Sequence, residues 1–269
     1  MALNMRIIHK NCLSAYLGDL QMAMDVYARA AGKPSSRLGI PQPLQSLMRH
    51  ENNLCLMLWH FDECLKHFEE NRNEFGAYAE AMAFLDVIYL ISRMLLDVVA
   101  GVVKHYYKCN DGRDLPKSFN KMLKWSAKKG KMPDNLDVVF SGCETWFREL
   151  RTRRDNIVHH YETYFIVFEQ NSKGRKTPIQ FSPLNQTPAM NNEDLRAYIG
   201  GVMAGYQRFI DALLNHWDTT FQRWYGFGRS PNSRTSTILE GRRANILWWA
   251  YQYGGYRHEN LVIEFGGNP

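Results

Sequence analysis

Leu47, Leu54, Phe61 and Phe68 recur every seven residues, with Leu58 and Leu65 beside them. That period collects the six on one stripe of a helix but scatters them over both faces of a strand, so the stretch reads as a long amphipathic helix. Pro43 suits its first turn, and the pattern carries it to about residue 71. The next stretch, 75–107, is apolar around most of its circumference, as expected of the most buried helix of a bundle. Its window 81–103 is interrupted by Asp86, Arg93 and Asp97, so it reads as a core helix and not as a membrane span. At 100° per residue these three charges share one narrow stripe, and Arg93 and Asp97 are an i,i+4 pair. The simpler reading is a solvated edge with a surface ion pair. The other is a polar stripe facing a symmetry mate or the Arg154 and His159 region.

Two such helices make the fold class all-α, and the remaining elements are read around them. A first helix is expected over 13–30, stopped by Gly32 and Pro34, with a Gly/Pro/Ser loop to residue 43. After the Asn110-Asp111-Gly112 turn, a short helix opens at Leu115-Pro116-Lys117. Lys117, Lys121, Lys124 and Lys128 line one face of it, and Lys129 and Lys131 add to the charge. That run is either a solvated face or an electrostatic track for a nucleic-acid backbone. Pro133-Asp134 is expected to begin the next helix. Residues 163–169, a turn at Asn171-Ser172-Lys173-Gly174 and residues 176–181 read as a β-hairpin inserted between helices. Asn191 or Asn192 is the expected cap of a helix with Glu193 and Asp194 in its first turn, running to about residue 224. A polar linker, 229–236, precedes a last helix over 236–251. It carries Arg242 and Arg243, followed by Trp248, Trp249, Tyr251 and Tyr253, aromatics expected to pack back on the bundle. The expected organisation is therefore an N-terminal helix and loop (1–42), a helical domain (43–225) with a hairpin at about 162–181, and a C-terminal basic and aromatic extension (226–269) packed on the bundle.

The 269 residues carry a net charge of +6, which favours an anionic partner such as RNA. Five scattered cysteines without a CxxC suit a reducing compartment, and the N-terminus lacks the apolar core of a signal peptide. A cytoplasmic protein without a membrane association is expected. His60, Cys64 and His67 align on one helix face at i, i+4 and i+7, three zinc-type ligands without a visible fourth. Their face lies off the apolar stripe, and the expectation is no metal and no cofactor. The chain holds no phosphate-binding P-loop, no dinucleotide fingerprint and no nucleophile elbow.

Chemistry concentrates at 148–161. Upstream, Leu136, Phe140, Cys143, Phe147 and Leu150 recur at steps of four and three, the buried stripe of an amphipathic helix. The same register continues to Arg154, Ile157 and Tyr161, so an arginine falls where a core residue is due. A buried arginine needs an anion, either a neighbouring carboxylate or a phosphate. His159 and His160 follow. In an unbroken helix residues five apart point about 140° from each other. Arg154 and His159 would then not share a face, whereas Arg153 and His160, seven apart, would.

Arg154-Asp155-Asn156-Ile157-Val158-His159 resembles the R-x(4-6)-H motif of the HEPN superfamily, in which Asn, Asp or His usually follows the arginine. His159-His160-Tyr161 extends it to R-x4-H-x-Y, the form seen in HEPN toxins paired with small nucleotidyltransferases. The resemblance covers about 43–224 and implies a HEPN-like helical bundle. It also implies an endoribonuclease that works without metal, by attack of the RNA 2′-hydroxyl on the adjacent phosphate. Within it His159 is the general base or acid, Arg154 holds the phosphate, and Asp155 orients one of them or a neighbouring arginine; Arg153 and His160 are the reserve pair. Two motifs usually meet across a homodimer in this family. Tyr161 matches a tyrosine that the partner nucleotidyltransferase modifies with AMP, although its register also fits a core tyrosine. A toxin or phage-defence role, with an antitoxin or nucleotidyltransferase partner, is what the resemblance implies. The alternative is a non-catalytic module of the same shape that binds RNA or a protein.

Overall fold

Two long helices, α1 (Gln42–Glu70) and α2 (Phe75–Asp111), form the frame of the computed structural model. The structure describes residues 4–9, 13, 16–18, 20–21, 42–70, 75–128, 130–133, 135–159, 165–170, 176–181, 193–225, 246–258 and 261–266. The seven-residue rhythm of α1 does what its period requires: Leu47, Leu54, Leu58, Phe61 and Leu65 are all buried. The two helices run antiparallel, because Ser46 shares a cavity with Lys104 at one end and Cys64 meets Glu80 at the other. α2 is buried on several sides, with Leu85, Ile88, Tyr89, Leu95, Val99, Val102, Tyr106 and Tyr107 all inside. No described helix is long and apolar enough to cross a membrane.

The chain then makes three shorter helices, α3 (Phe119–Ser126), α4 (Leu136–Ser141) and α5 (Glu144–His159). The helix expected to run on from Pro133 is thus divided. Asn135 enters with a left-handed φ of 62°, and the backbone tightens at Gly142 and Cys143. The division leaves the stripe intact, since Gly142 N–H still reaches Val138 O (3.1 Å) and Phe147 N–H reaches Cys143 O (3.2 Å). Leu136, Phe140, Cys143, Phe147 and Leu150 remain buried in one line.

A hairpin of β2 (Phe165–Gln170) and β3 (Lys176–Phe181) follows α5, as the sequence pattern predicts. A two-residue strand, β4 (Glu193–Asp194), adds to β3. Asp194 also caps the next helix, α6 (Leu195–Tyr225): its Oδ1 accepts the N–H groups of Arg196 (2.9 Å) and Ala197 (3.3 Å). The capping role expected of Asn191 or Asn192 therefore falls to Asp194, and those two asparagines lie outside the described residues. α6 runs parallel to α2, with Tyr198 beside Tyr89 and His216 bonded to Tyr107 (2.7 Å). Phe119, Phe140, Phe147 and Phe209 cluster with ring centroids 4.9–5.3 Å apart where α3, α4, α5 and α6 meet.

One feature departs from an all-α chain with one hairpin. A second small sheet pairs β1 (Asn4–His9) with β5 (Leu261–Gly266), antiparallel, from opposite ends of the sequence. The protein is mostly helical all the same. The last helix is α7 (Ile246–Gln252), and Arg242 and Arg243 lie outside the described residues. Trp249 and Ala250 are buried, and Trp249 meets Phe61 with centroids 6.1 Å apart. Past α7, Gly254 presses on Gly200 of α6 so closely that a Cβ on Gly200 would lie 2.5 Å from Gly254 N. Tyr256 then donates to Asp211 (2.7 Å), and burial, followed by the Asp211 carboxylate, pushes its phenol well above the usual range. Of the expected first helix, residues 13, 16–18, 20 and 21 are helical; Leu13, Tyr16, Leu17 and Leu20 belong to the core.

Candidate functional site

The stripe of α5 is centred near Leu150, and the residues three and four further on fall about 60° to one side and about 40° to the other. Arg153 and Arg154 therefore flank the stripe, and the protein treats them differently. Arg153 is the buried one, 5% exposed. Its guanidinium lies 3.4 Å over the Tyr198 ring of α6, with Glu149 at 3.6 Å. Arg154, which the register placed in the core, instead has a side chain 23% exposed. The alternation of threes and fours slips because α5 meets α6 on the Arg153 flank, where Tyr198 supplies an aromatic face for the charge. This contact gives Arg153 a packing role between α5 and α6. His160 and Tyr161 lie outside the described residues.

Arg154 and His159 come together in spite of the 140° between their directions. Nη1 of Arg154 is 3.4 Å from Nε2 of His159 and 3.0 Å from Oδ1 of Asp155. The helix does not break before His159, its last residue. The long arginine side chain spans that angle and brings its Nη1 to the imidazole. A guanidinium has donors only, so this contact is a hydrogen bond when Nε2 carries its lone pair and Nδ1 the proton. Asp155 also accepts from Arg151 Nε (3.2 Å), and Arg151 Nη1 reaches Asn120 on α3 (3.3 Å). Asp155 thus sits between two arginines and fixes the head of Arg154. His159 is exposed. A permanent cation beside an accessible imidazole can hold an anionic oxygen and move a proton.

The polar stripe of α2 is not a solvated edge at Arg93. Arg93 is 8% exposed and lies 5.0 Å over the Phe147 ring of α5, paired with Asp97 at 2.8 Å. Asp97 in turn accepts the Phe119 N–H (2.8 Å) and so caps α3. The stripe faces the motif helix at Phe147, about two turns before Arg154. Its role is to hold α3 and α5 on α2. On α3, Phe119, Met122 and Leu123 are buried while Lys121 and Lys124 are exposed, as are Lys117 and Lys128 to either side. Lys131 lies 5.9 Å from the Trp125 ring.

The His60, Cys64 and His67 face is built for packing. His60 stacks on Phe84 at 5.1 Å, and the Cys64 thiol points to Glu80 (3.7 Å). Burial, and then Glu80, push that thiol up to about 11, away from the thiolate a metal requires. Among the described residues no three His, Cys, Asp or Glu side chains form a group suited to a metal ion.

Sequence reasoning did not find Tyr198, the ring under Arg153, or Gly205, where a Cβ would come within 2.8 Å of the Trp146 ring of α5. Both belong to a helix some fifty residues downstream, and neither stands out in composition. Compared with known proteins, the chain matches no family model, no curated protein and no solved structure.

Proposed function

We propose that the chain is a metal-independent endoribonuclease of HEPN type. The observation that carries this reading is the 3.4 Å approach of Arg154 to His159, with Asp155 beside them, at an exposed helix end. In the reaction the RNA 2′-oxygen forms a bond to the adjacent phosphorus as the bond to the 5′-oxygen breaks. The 2′-hydroxyl proton goes to a base, and the leaving 5′-oxygen gains one. His159 serves as base or acid, since a neutral imidazole has a lone pair to take a proton and its protonated form has one to give. Arg154 binds a non-bridging phosphate oxygen and opposes the charge that grows there. As the phosphate takes over the guanidinium, Nε2 of His159 is released to accept the hydroxyl proton. Asp155 is a positioning residue, since it holds Arg154. Two copies of the motif, one from each subunit of a homodimer, would supply base and acid at one composite site. A toxin or phage-defence role, with RNA as substrate and an antitoxin or nucleotidyltransferase acting at Tyr161 as partner, belongs to this reading.

A second reading, a non-catalytic module that binds RNA, draws on the exposed lysines of α3, linked to the motif helix through Asn120 and Arg151. One assay separates the two: RNA cleavage in EDTA by wild type, Arg154→Ala and His159→Ala, with product ends identified. The ribonuclease reading expects cyclic-phosphate and 5′-hydroxyl ends and a loss of about 10²-fold or more in each variant. Their melting temperatures should stay unchanged, since both side chains are partly or wholly exposed. Absence of cutting by folded dimeric protein over a broad set of RNAs would leave the binding module.

A further inference from the structure

A cavity of about 450 Å³ lies between the start of α1 and the last third of α2, with Lys117 at its rim. It is separate from the motif. The Arg153 and Tyr198 contact is at the level of Tyr89, and the cavity wall on α2 runs from Asp97 to Lys108, roughly 12 to 28 Å further along at 1.5 Å per residue.

Three lysines border it. Lys104, Lys108 and Lys117 all line the cavity, Lys104 and Lys108 one turn apart on α2. Their charge is felt by Asp114, which pairs with Lys104 at 2.6 Å. The hydrogen bond and charge of Lys104, then the charges of Lys108 and Lys117, hold its carboxyl below the usual range. Asp97 also lines the cavity, but its oxygens are already engaged by the Phe119 N–H and by Arg93. Among the described residues the positive charge of the three lysines is therefore only partly answered. Ser46, in the first turns of α1, adds a hydroxyl donor at the opposite wall.

Between these polar groups α2 contributes an apolar stretch of small volume, which we take as the floor. It is made by Val98 and Gly101. Gly101 sits in the interior of α2, where glycine is the weakest ordinary helix former. A Cβ there would meet nothing within 4 Å, so no packing contact calls for glycine. The contrast with Gly200, whose neighbour leaves no room for a methyl, is direct. What the missing side chain leaves open is the cavity.

We propose that this cavity binds a phosphate-bearing ligand of nucleotide size, with Lys104, Lys108 and Lys117 on the phosphate and the Val98–Gly101 floor under the sugar or base. The volume lies within the range of small-molecule sites, and a few convergent polar groups over an apolar surface are their usual make-up. The ligand is either a free nucleotide or the 5′-phosphorylated end of an RNA strand, which share this chemistry. The proposal does not depend on the ribonuclease reading.

The test is calorimetric titration of the full chain with ADP, pyrophosphate, and an RNA dinucleotide with and without a 5′-phosphate. It is run on wild type and on His159→Ala, which removes the motif histidine and should bind alike. ADP or the 5′-phosphorylated dinucleotide should bind with a Kd below about 1 mM that weakens as salt is raised. Preference for ADP identifies a free nucleotide. Preference for the phosphorylated dinucleotide over its 5′-hydroxyl counterpart identifies a strand end. Lys108→Glu with Lys117→Glu, both exposed, should weaken binding tenfold or more. Gly101→Leu should do the same by filling the floor without touching a charge, and Gly101→Ala should fold at least as well as wild type. The proposal is overturned if neither ligand binds at millimolar concentration. It fails equally if pyrophosphate binds as tightly as ADP, or if folded Gly101→Leu binds as wild type does.

Discussion

Two parts of the chain lean on α6 between Tyr198 and Asp211, and they do so in opposite ways. The C-terminal turn meets it backbone to backbone, Gly254 on Gly200, and is locked further by Tyr256 on Asp211. The motif helix meets it through side chains, Arg153 on Tyr198 and Trp146 on Gly205. The first contact leaves nothing to move. The second fixes one flank of α5 and turns the other flank, with Arg154 and His159, outward. A rigid support under one face and accessible groups on the other is what a site for an incoming anion requires.

The comparison is broken most severely at Gly200. Gly200→Ala would gain helix propensity, about 1 kcal/mol. The obstacle is backbone, however, and a net loss of about 3 kcal/mol is expected from overpacking. Thermal melting should show it as a fall of about 6–12 °C for a chain of this size. A variant as stable as wild type would mean that the C-terminal turn does not press on α6.

Arg153→Ala comes next, at about 2 kcal/mol, because a desolvated guanidinium over an aromatic ring is lost from the interior. If Arg153 is a packing residue, urea titration should register that loss while RNA cleavage per folded molecule stays within a few-fold of wild type. A 10²-fold fall in cleavage with stability retained would instead move the catalytic role from Arg154 to its neighbour.

A pH dependence follows from Cys143 on the buried stripe of α4 and α5. Burial raises its thiol from 9.0 to about 12, and it donates to Phe140 O at 2.9 Å. Below pH 9 both folded and unfolded thiols keep the proton. Between about 9 and 12 only the unfolded chain releases it, so stability falls as pH rises, by up to about 1.4 kcal/mol per pH unit. Melting temperatures at pH 8 and pH 10 should diverge less in Cys143→Ala than in wild type.

The smallest effect is expected at Gly205. Gly205→Ala meets the edge of the Trp146 ring, which is only partly buried and can shift, so about 1 kcal/mol is expected. A loss as large as that of Gly200→Ala would show that the motif helix is held as tightly as the C-terminal turn.

Much of this was legible in the sequence where the information is local. The stripe from Leu47 to Leu65, the two-sided burial of α2 and the hairpin strand 176–181 all follow from periodicity and turn residues. The order of buried positions from Leu136 to Leu150 was readable too, even across the division at Gly142. The next step was not, because Arg153 and Arg154 lie almost symmetrically about the stripe, and only Tyr198 on a distant helix decides between them. Arg93 was misread for the same reason: its spacing to Asp97 is that of a surface pair, and the Phe147 ring that covers it comes from another element. The meeting of Arg154 with His159 escaped the 100° rule because that rule describes Cα directions, while an arginine at a helix end is long enough to cross them. The β1–β5 sheet had no local signal, each strand being six residues with its partner at the other end of the chain.

That pairing has a consequence for the order in which the molecule assembles. Asn4 pairs with Gly266 and His9 with Leu261, so the ladder closes a loop of roughly 250–260 residues. Bringing such distant segments together from an unfolded chain costs about 5 kcal/mol in closure entropy, and two strands alone are marginal in water. The ladder is affordable only after the helices have already brought its two strands near each other. On a ribosome, β1 would emerge well before its partner and wait for the roughly 250 intervening residues before the two could meet. Its backbone amides should gain protection from hydrogen exchange last, making that small sheet a clock hand for completion of the bundle.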